Sequence, residues 1–238
     1  MLHAKQNVIY PAVKRIAVKF AGLMQAPIRH KIGDQTFWLS AQRSLFWEEQ
    51  KALIVSDLHF GKTGHFRKSG IGVPQGIYKE DLQRLITLLH YFNSTQLIVV
   101  GDFFHSHANV ELDLFKRWRA DFKELSIILV KGNHDILQKD WYEEANIKVV
   151  DNLYVDNFYF SHEPEDRKSS AYTFSGHIHP GVVLKGLGKQ SLRFPCFYFT
   201  KQYSVLPAFS RFTGVAAVEP KKTDTVFAIV ENTLIQLQ

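Results

Sequence analysis

The stretch KALIVSDLHFGK, residues 51–62, joins a short apolar run to a polar segment that contains Asp57 and His59. Two later stretches have the same arrangement: STQLIVVGD ends at Asp102, and SIILVKGNHD ends at Asp135. Each apolar run is short and is bounded by turn-forming residues, which is the pattern of a buried strand. The three stretches therefore predict strands whose ends carry polar side chains.

Helical spacing of apolar residues separates these predicted strands. It predicts one helix from about Gly76 to Phe92 and a second within residues 109–125, with a stripe of Leu112, Phe115, Trp118 and Phe122. The alternation of strand and helix favours right-handed crossovers and parallel strands. From residue 152 onward the chain changes to short β-rich runs separated by turns. We therefore expect the α/β class, with two packed β-sheets in a single domain.

Composition narrows the class of protein. The 238 residues suffice for one sizeable core, and no apolar run approaches the roughly 18 residues that span a bilayer, so we expect no membrane partner. The single cysteine, Cys196, fits a reducing compartment, which predicts a cytoplasmic protein. The formal net charge of +6 suits a polyanionic partner without proving one. Residues 1–27 lack clear periodicity, so we expect a poorly ordered N-terminal extension before a domain that spans 28–238.

Polar motifs rich in histidine follow the predicted strands in a fixed order. They are DLH at 57–59, GD at 101–102, GNHD at 132–135, SHEP with His162, and GHIH at 176–179. Ligand sites of open α/β sheets lie beyond the carboxyl ends of the strands, so these loops are expected to converge. In DLH and HIH we expect an extended backbone that points both polar side chains to one side. Carboxylate, imidazole and amide ligands together suit Mn²⁺, Fe or Zn²⁺.

This set of motifs resembles the signature of the calcineurin-like metallophosphoesterases, whose parts are all present between residues 57 and 179. The resemblance implies an α/β/β/α sandwich, two packed sheets flanked by helices, around two divalent metal ions. By motif it assigns one ion to Asp57, His59 and His179, the other to Asn133, His162 and His177, and both to a bridging Asp102. It also implies that a hydroxide bridging the ions attacks phosphorus. His134 would then protonate the leaving oxygen, and Asp135 would orient its ring.

The chain is more closely similar to the DNA-ligase-associated metallophosphoesterases. The similarity rests on LFWEEQKALIVSDLHFGK, HFRKSGIGVP, GDFFHS, SGHIHPGV, LRFPCF and LPAFSRFTG, which span residues 45–214. It implies a phosphodiesterase, Mn²⁺-dependent with Fe or Zn²⁺ as alternatives, that acts as a DNA endonuclease in repair. It further implies a functional association with a DNA ligase and a helicase. His105 and Ser106 stand where the related serine/threonine phosphatases have Asp and Arg, which argues against a phosphoprotein substrate.

The segment GKTGHFRKSG adds basic residues directly after the first metal motif. We expect its Lys62, His65 and Arg67, together with His105, to bind substrate, because such side chains can hold the phosphates beside a scissile bond. A solvated basic loop is the alternative. The same centre would also serve a phosphodiesterase or phosphatase acting on a small nucleotide or another small phosphoester. A non-catalytic scaffold on this fold is disfavoured because no ligand of the motif set is missing.

Overall fold

Two β-sheets packed face to face make up most of this computed structural model, which describes residues 25–62, 76–105, 110–164, 170–185 and 191–237. The expected α/β class with two sheets in a single domain is confirmed. Of the expected N-terminal extension, 1–27, only residues 25–27 are described. His65 and Arg67 also lie outside the described residues, so the predictions made for them remain predictions.

The first sheet is antiparallel on one side and parallel on the other. Its strands lie in sequence order: β1 (Ile28–Ile32), β2 (Gln35–Ser40), β3 (Ser44–Trp47), β4 (Ala52–Val55), β5 (Gln96–Val100), β6 (Ser126–Val130) and β7 (Ile147–Val150). Strands β1 to β4 form an antiparallel meander, whereas β4 to β7 are parallel. The three strands predicted from the apolar runs are therefore β4, β5 and β6, and they are neighbours as well as parallel.

Helices follow the parallel strands of this sheet. They are α1 (Gly76–Tyr91), α2 (Val110–Asp121) and α3 (Lys139–Glu144). The first two match the predicted helices. The third was not predicted, because its six residues are too few for a helical period to show in the sequence. In the described part of the chain no helix is long and apolar enough to cross a membrane.

The second sheet is built from the β-rich half of the chain. Its strands are β8 (Leu153–Val155), β9 (Phe158–Phe160), β10 (Tyr172–Ser175), β11 (Pro180–Lys185), β12 (Ser191–Phe199), β13 (Tyr203–Val205), β14 (Ala216–Ala217), β15 (Thr225–Val230) and β16 (Thr233–Gln236). They lie in the order β14-β11-β12-β13-β10-β9-β8, and β15 pairs with both β12 and β16. Strand β10 runs parallel to β9 and β13, so the sheet is mixed.

The apolar core lies in layers on both faces of the first sheet. Between the sheets, Trp47 packs edge-on against Phe158, and the rings of Phe160 and Phe174 stack with centres 5.2 Å apart. On the outer face, Leu85 of α1 and Phe115 of α2 are fully buried, as the helical stripes predict. Burial of each such side chain contributes roughly 2 kcal/mol.

The outer face of the second sheet carries a smaller apolar cluster. Cys196 and Val226 are fully buried there, beside Val182 and Tyr198. The helices among the described residues all pack on the first sheet, and none of them covers this second cluster. Cys196 is a buried free thiol.

One edge of the two sheets collects the polar loops. Strands β4, β5 and β6 are parallel and end there, and β10 and β13 of the second sheet end at the same place. The two sheets are joined at this edge because the amide of Phe209 donates to the carbonyl of Ser56 at 2.7 Å and that of Ser210 donates to Asp57 at 3.2 Å. The edge therefore brings loops from both halves of the chain together.

Candidate metal centre

The first group of predicted ligands comes from β4 and β10. Asp57 and His59 follow β4, and His179 lies four residues beyond the end of β10. The His179 Nε2 atom is 3.4 Å from Asp57 Oδ1 and 3.3 Å from His59 Nε2. One atom from each of the three side chains lies close enough to the others to hold a single ion.

The second group comes from three different loops. The His162 Nε2 atom lies 3.2 Å from Asn133 Oδ1 and 3.2 Å from His177 Nδ1. Asp102, at the end of β5, lies between the two groups. Its Oδ1 is 3.5 Å from His162 Nε2, and its Oδ2 is 3.9 Å from His59 Nδ1. The Asp102 carboxylate thus faces both groups, which is the placement that a bridging ligand requires.

A buried carboxylate oxygen that makes no hydrogen bond indicates that a cation fits this site. Asp57 Oδ1 is buried and faces His179 Nε2 at 3.4 Å, but it has no hydrogen-bond partner among the described residues. The other oxygen of Asp57 is already used, since it accepts from the Ser56 hydroxyl and from the amide of His177 at 3.2 Å. A buried carboxylate oxygen without a partner is costly, so Asp57 is oriented for an electrophile at Oδ1.

The charge state of His59 suits a metal ligand. Burial, and then the positive charge of Lys62, lower the pKa of the ring to about 2. A neutral imidazole keeps a lone pair for a cation, whereas an imidazolium has none. His59 is therefore ready to bind a metal at neutral pH.

The backbone is strained at five of the predicted ligands. Asp57, His59, Asp102, His177 and His179 have φ values of 53°, 50°, 51°, 66° and 50°. Residues with side chains rarely adopt this left-handed conformation, and such strain concentrates at functional sites. The prediction of extended DLH and HIH segments is wrong. The left-handed residues turn both polar side chains inward while Leu58 between the first two is buried in the core.

Two glycines permit the loops to approach one another. Gly101 has a φ of 80°, and a Cβ there would run into the imidazole of His162. A Cβ on Gly176 would lie 2.6 Å from Asp57 Oδ2 and would also strike the Ser56 hydroxyl. The glycines of the GD and GHIH motifs thus make room for the ligands on neighbouring loops.

His134 lies at the mouth of the site. Its side chain is 43% exposed, and its Nε2 is 4.0 Å from Asp102 Oδ2. Its backbone amide donates to Asp102 Oδ1 at 2.9 Å, which fixes the loop after β6 against the loop after β5. The ring is therefore open to solvent beside the ligands, where a substrate can reach it.

The Asp135 carboxylate contacts backbone rather than a side chain. Its Oδ1 accepts from the amide of Phe104 at 3.0 Å and its Oδ2 from the amide of Gly132 at 2.9 Å. Burial raises its pKa to about 6, against the effect of these two hydrogen bonds. Asp135 braces the loops that carry Asp102 and His134. No contact among the described residues joins its carboxylate to the His134 ring, so the predicted orienting role remains a prediction.

Two of the predicted substrate-binding residues lie at this edge. The ring of His105 is centred 4.1 Å from that of His134 and 5.4 Å from that of His59. Burial lowers the pKa of Lys62, whereas the nearby carboxylates of Asp102 and Asp57 raise it. Both side chains are half-buried beside the ligands and can contact a bound anion.

Sequence reasoning missed Glu163. Its Oε2 lies 3.5 Å from His177 Nε2, on the opposite side of the ring from the Nδ1 that faces His162. A carboxylate placed behind a ligating histidine fixes the ring and makes it more basic. The position directly after His162 was the available signal, but a single glutamate after a histidine is too common to stand out.

The two-sheet fold and the cluster of Asp and His side chains are those of a metal-dependent phosphoesterase. A calcineurin-like phosphoesterase profile matches residues 51–224, and the chain belongs to that family. The matched region includes every predicted metal ligand and the strands from β4 to β14, which belong to both sheets.

Solved structures give a more specific comparison. The chain is 32% identical to a nuclease of Pseudomonas putida named MPE, with a TM-score of 0.77 over 89% of this chain and 100% of that one. It is 11% identical to the phosphoesterase Yfce of E. coli, over 77% of this chain and 90% of that one, with a TM-score of 0.38 that is too low to bear on function. No curated protein sequence matches significantly.

Proposed function

We propose that this protein is a two-metal, Mn²⁺-dependent phosphodiesterase that acts on DNA as an endonuclease in repair, in functional association with a DNA ligase and a helicase. The observation that carries the proposal is the Asp102 carboxylate, which turns one oxygen toward each ligand group. The 32% identity to a nuclease supports nucleic acid as the substrate. A Mn²⁺ centre, with Fe or Zn²⁺ as alternatives, agrees with donors that combine imidazole, carboxylate and amide.

The predicted ligands each have a place in this proposal. One ion would be held by Asp57, His59 and His179, the other by Asn133, His162 and His177, and Asp102 would be shared. When bound, the two ions activate a water and neutralise charge on the phosphoryl oxygens. The protein supplies fixed geometry, since the Asp57 carboxylate is oriented by Ser56 and by the amide of His177.

His134 would supply the proton in this reaction. Its exposed ring lies beside the predicted ligands, with Nε2 4.0 Å from Asp102 Oδ2, so a phosphodiester at the centre would come within hydrogen-bond reach of Nε2. Donation from Nε2 to the leaving oxygen would yield the free hydroxyl of the product strand. His105, packed against this ring, would position it and contact the same phosphate.

Positive charge near the centre favours a phosphate chain over a neutral substrate. Lys62 lies beside the ligands, and the chain as a whole has a formal net charge of +6. Such side chains hold flanking phosphates and give affinity without reading sequence. His65 and Arg67 would extend this contact from the segment after Lys62.

The test compares four substrates with the purified protein loaded with Mn²⁺, and repeats the comparison with Fe²⁺ and Zn²⁺. The substrates are circular single-stranded DNA, a supercoiled plasmid, a cyclic dinucleotide and a phosphomonoester. Cleavage of either circle, which has no ends, is the expected result and demonstrates endonuclease activity. Hydrolysis of the cyclic dinucleotide or the monoester with both circles intact would instead support a small phosphoester as the substrate.

A further inference from the structure

An open cleft of about 500 Å³ lies beside the metal centre and contains none of the predicted ligands. It is lined mainly by Arg43, Phe194, Pro195, Arg211, Glu231 and Asn232. A volume of this size falls within the range of small-ligand sites. The cleft therefore has room for a ligand outside the centre itself.

The topology places this cleft at the same edge as the metal centre. Strand β3 is antiparallel to β4, so the turn before β3, which contains Arg43, lies beside the end of β4. In the second sheet Pro195 pairs with Gly181, two residues after His179. Neighbouring strands are about 4.8 Å apart. In the first sheet the predicted ligands lie in the loops after β6, β5 and β4, and the Arg43 side of the cleft lies one strand further along, at β3.

Hydrogen bonds connect the cleft to the first metal ligand. The Arg43 Nη1 atom donates to the carbonyl of Ser210 at 2.6 Å and to that of Ala208 at 3.2 Å. The amide of Ser210 in turn donates to the carbonyl of Asp57. Arg211 follows Ser210 directly and is exposed, and its Nη2 donates to Gln42 Oε1 at 3.1 Å. Arg43 is therefore tied to the segment that contacts Asp57, and Arg211 is tied to Gln42, the residue before Arg43.

The cleft carries an excess of positive charge. Arg43 and Arg211 face a single carboxylate in the lining, that of the exposed Glu231. Burial, and then the positive charge of Arg211, lower the pKa of Arg43 to about 10, while the carboxylate of Asp81 raises it. Asp81 is itself paired with Arg84 at 2.9 Å, so the two arginines of the lining keep an excess of positive charge. A guanidinium fork suits phosphate oxygens.

The opposite wall of the cleft is apolar. Phe194 and Pro195 line this wall and are half-buried, and the Phe194 side chain also packs against the apolar cluster around Cys196 on the outer face of the second sheet. An aromatic side chain beside a cationic pair is the combination that single-stranded nucleic acids use, because the base stacks while the phosphate binds the cation. An inorganic anion would make no favourable contact with these apolar side chains.

We propose that this cleft binds one nucleotide of a DNA strand that extends away from the scissile phosphate, with its phosphate on Arg43 and Arg211 and its base against Phe194. The inference rests on the proposed function, because it assigns a second contact to the same polynucleotide substrate. The cleft gives affinity for the strand, while the chemistry stays at the metal centre.

The test uses hydrolysis of bis-p-nitrophenyl phosphate by the metal-loaded protein, with single-stranded oligonucleotides as competitive inhibitors. This small ester reports the metal centre alone, and the inhibition constant of a 12-nucleotide strand reports strand binding whether or not the strand is cut. Arg211→Gln should raise that inhibition constant about tenfold, as expected for the loss of a charged hydrogen bond. It should also reduce the slope of log affinity against log salt by about 0.7, the loss of one phosphate contact.

Matched variants make the result specific. Arg117→Gln, on the exposed face of α2, removes the same charge and should leave both quantities unchanged. Arg211→Lys should keep most of the salt slope, whereas Phe194→Ala should weaken the 12-nucleotide strand without altering that slope. In Arg211→Gln, kcat/KM for the small ester should stay within about twofold of wild type, and inhibition by a dinucleotide should not change.

Two outcomes would overturn the cleft assignment. One is an Arg211→Gln inhibition constant equal to that of wild type or of Arg117→Gln. The other is a fall in kcat/KM for the small ester as large as the rise in the inhibition constant of the 12-nucleotide strand, which would give Arg211 a structural role at the metal centre. A different result tests the proposed nuclease activity. If the strand inhibits through Arg211 but is never cut, the cleft binds DNA as proposed, and the protein is not a nuclease.

Discussion

Glu163 offers a sharp test of how the second ligand group is held. Its Oε2 lies 3.5 Å from His177 Nε2, while His177 Nδ1 faces His162. Glu163→Gln keeps the shape of the side chain but removes its charge, which weakens the interaction that fixes the imidazole ring of His177. Changes to such outer partners typically cost 10-fold to 100-fold in metal affinity. The Glu163 side chain is 47% exposed, so solvent screens it and we expect about tenfold, or roughly 1.4 kcal/mol.

Isothermal titration of Mn²⁺ into the metal-free protein measures this loss directly. Only one of the two binding steps should shift, and kcat at saturating Mn²⁺ should stay near that of wild type. Glu124→Gln, at an exposed position after α2, is the control and should leave both steps unchanged. Identical titrations for Glu163→Gln and wild type would show that the Glu163 carboxylate does not help to hold the metal. A fall in kcat that saturating metal does not restore would also rule out this role.

Three further predictions follow from individual side chains. Gly101→Ala forces a left-handed conformation on alanine and places its Cβ against the His162 ring. Thermal unfolding should therefore show a loss of stability greater than the roughly 1–2 kcal/mol of the backbone alone, and metal binding should weaken. An unchanged melting temperature would contradict this packing. Burial raises the pKa of Cys196 from 9.0 to about 12, so the thiol of the native protein should resist alkylation at pH 8 and react only on unfolding. The free energy of unfolding should fall as the pH rises above about 9, because only the unfolded thiol ionises there. Fast alkylation of the native protein would contradict this prediction. His134→Ala should slow esters with poor leaving groups far more than p-nitrophenyl esters, which need little protonation, and equal slowing of both would remove the proton-donor role.

Much of the fold follows from local sequence pattern. The apolar runs that become β4, β5 and β6 are short and uninterrupted, and the stripes on α1 and α2 repeat with a helical period. Because parallel strands place their carboxyl ends together, the order of DLH, GD and GNHD was enough to predict that their loops converge.

Other features depend on contacts that no local pattern encodes. The left-handed conformation of Asp57 and His59 is imposed by packing between loops, so alternation of polar residues wrongly indicated an extended segment. The two backbone contacts of Asp135 likewise come from loops separated along the chain. The cleft is assembled from turns and strands that are far apart in sequence. Arg43, for example, donates hydrogen bonds to the carbonyls of residues more than 160 positions away.

Anomalous diffraction at the manganese absorption edge, from crystals grown with Mn²⁺, shows whether Asp102 is shared between two metal ions. We expect two peaks about 3.5–4 Å apart, the spacing of two-metal sites, with an Asp102 oxygen in contact with each ion or between them. A single peak among the ligands, or two peaks of which one lies away from Asp102, would contradict it.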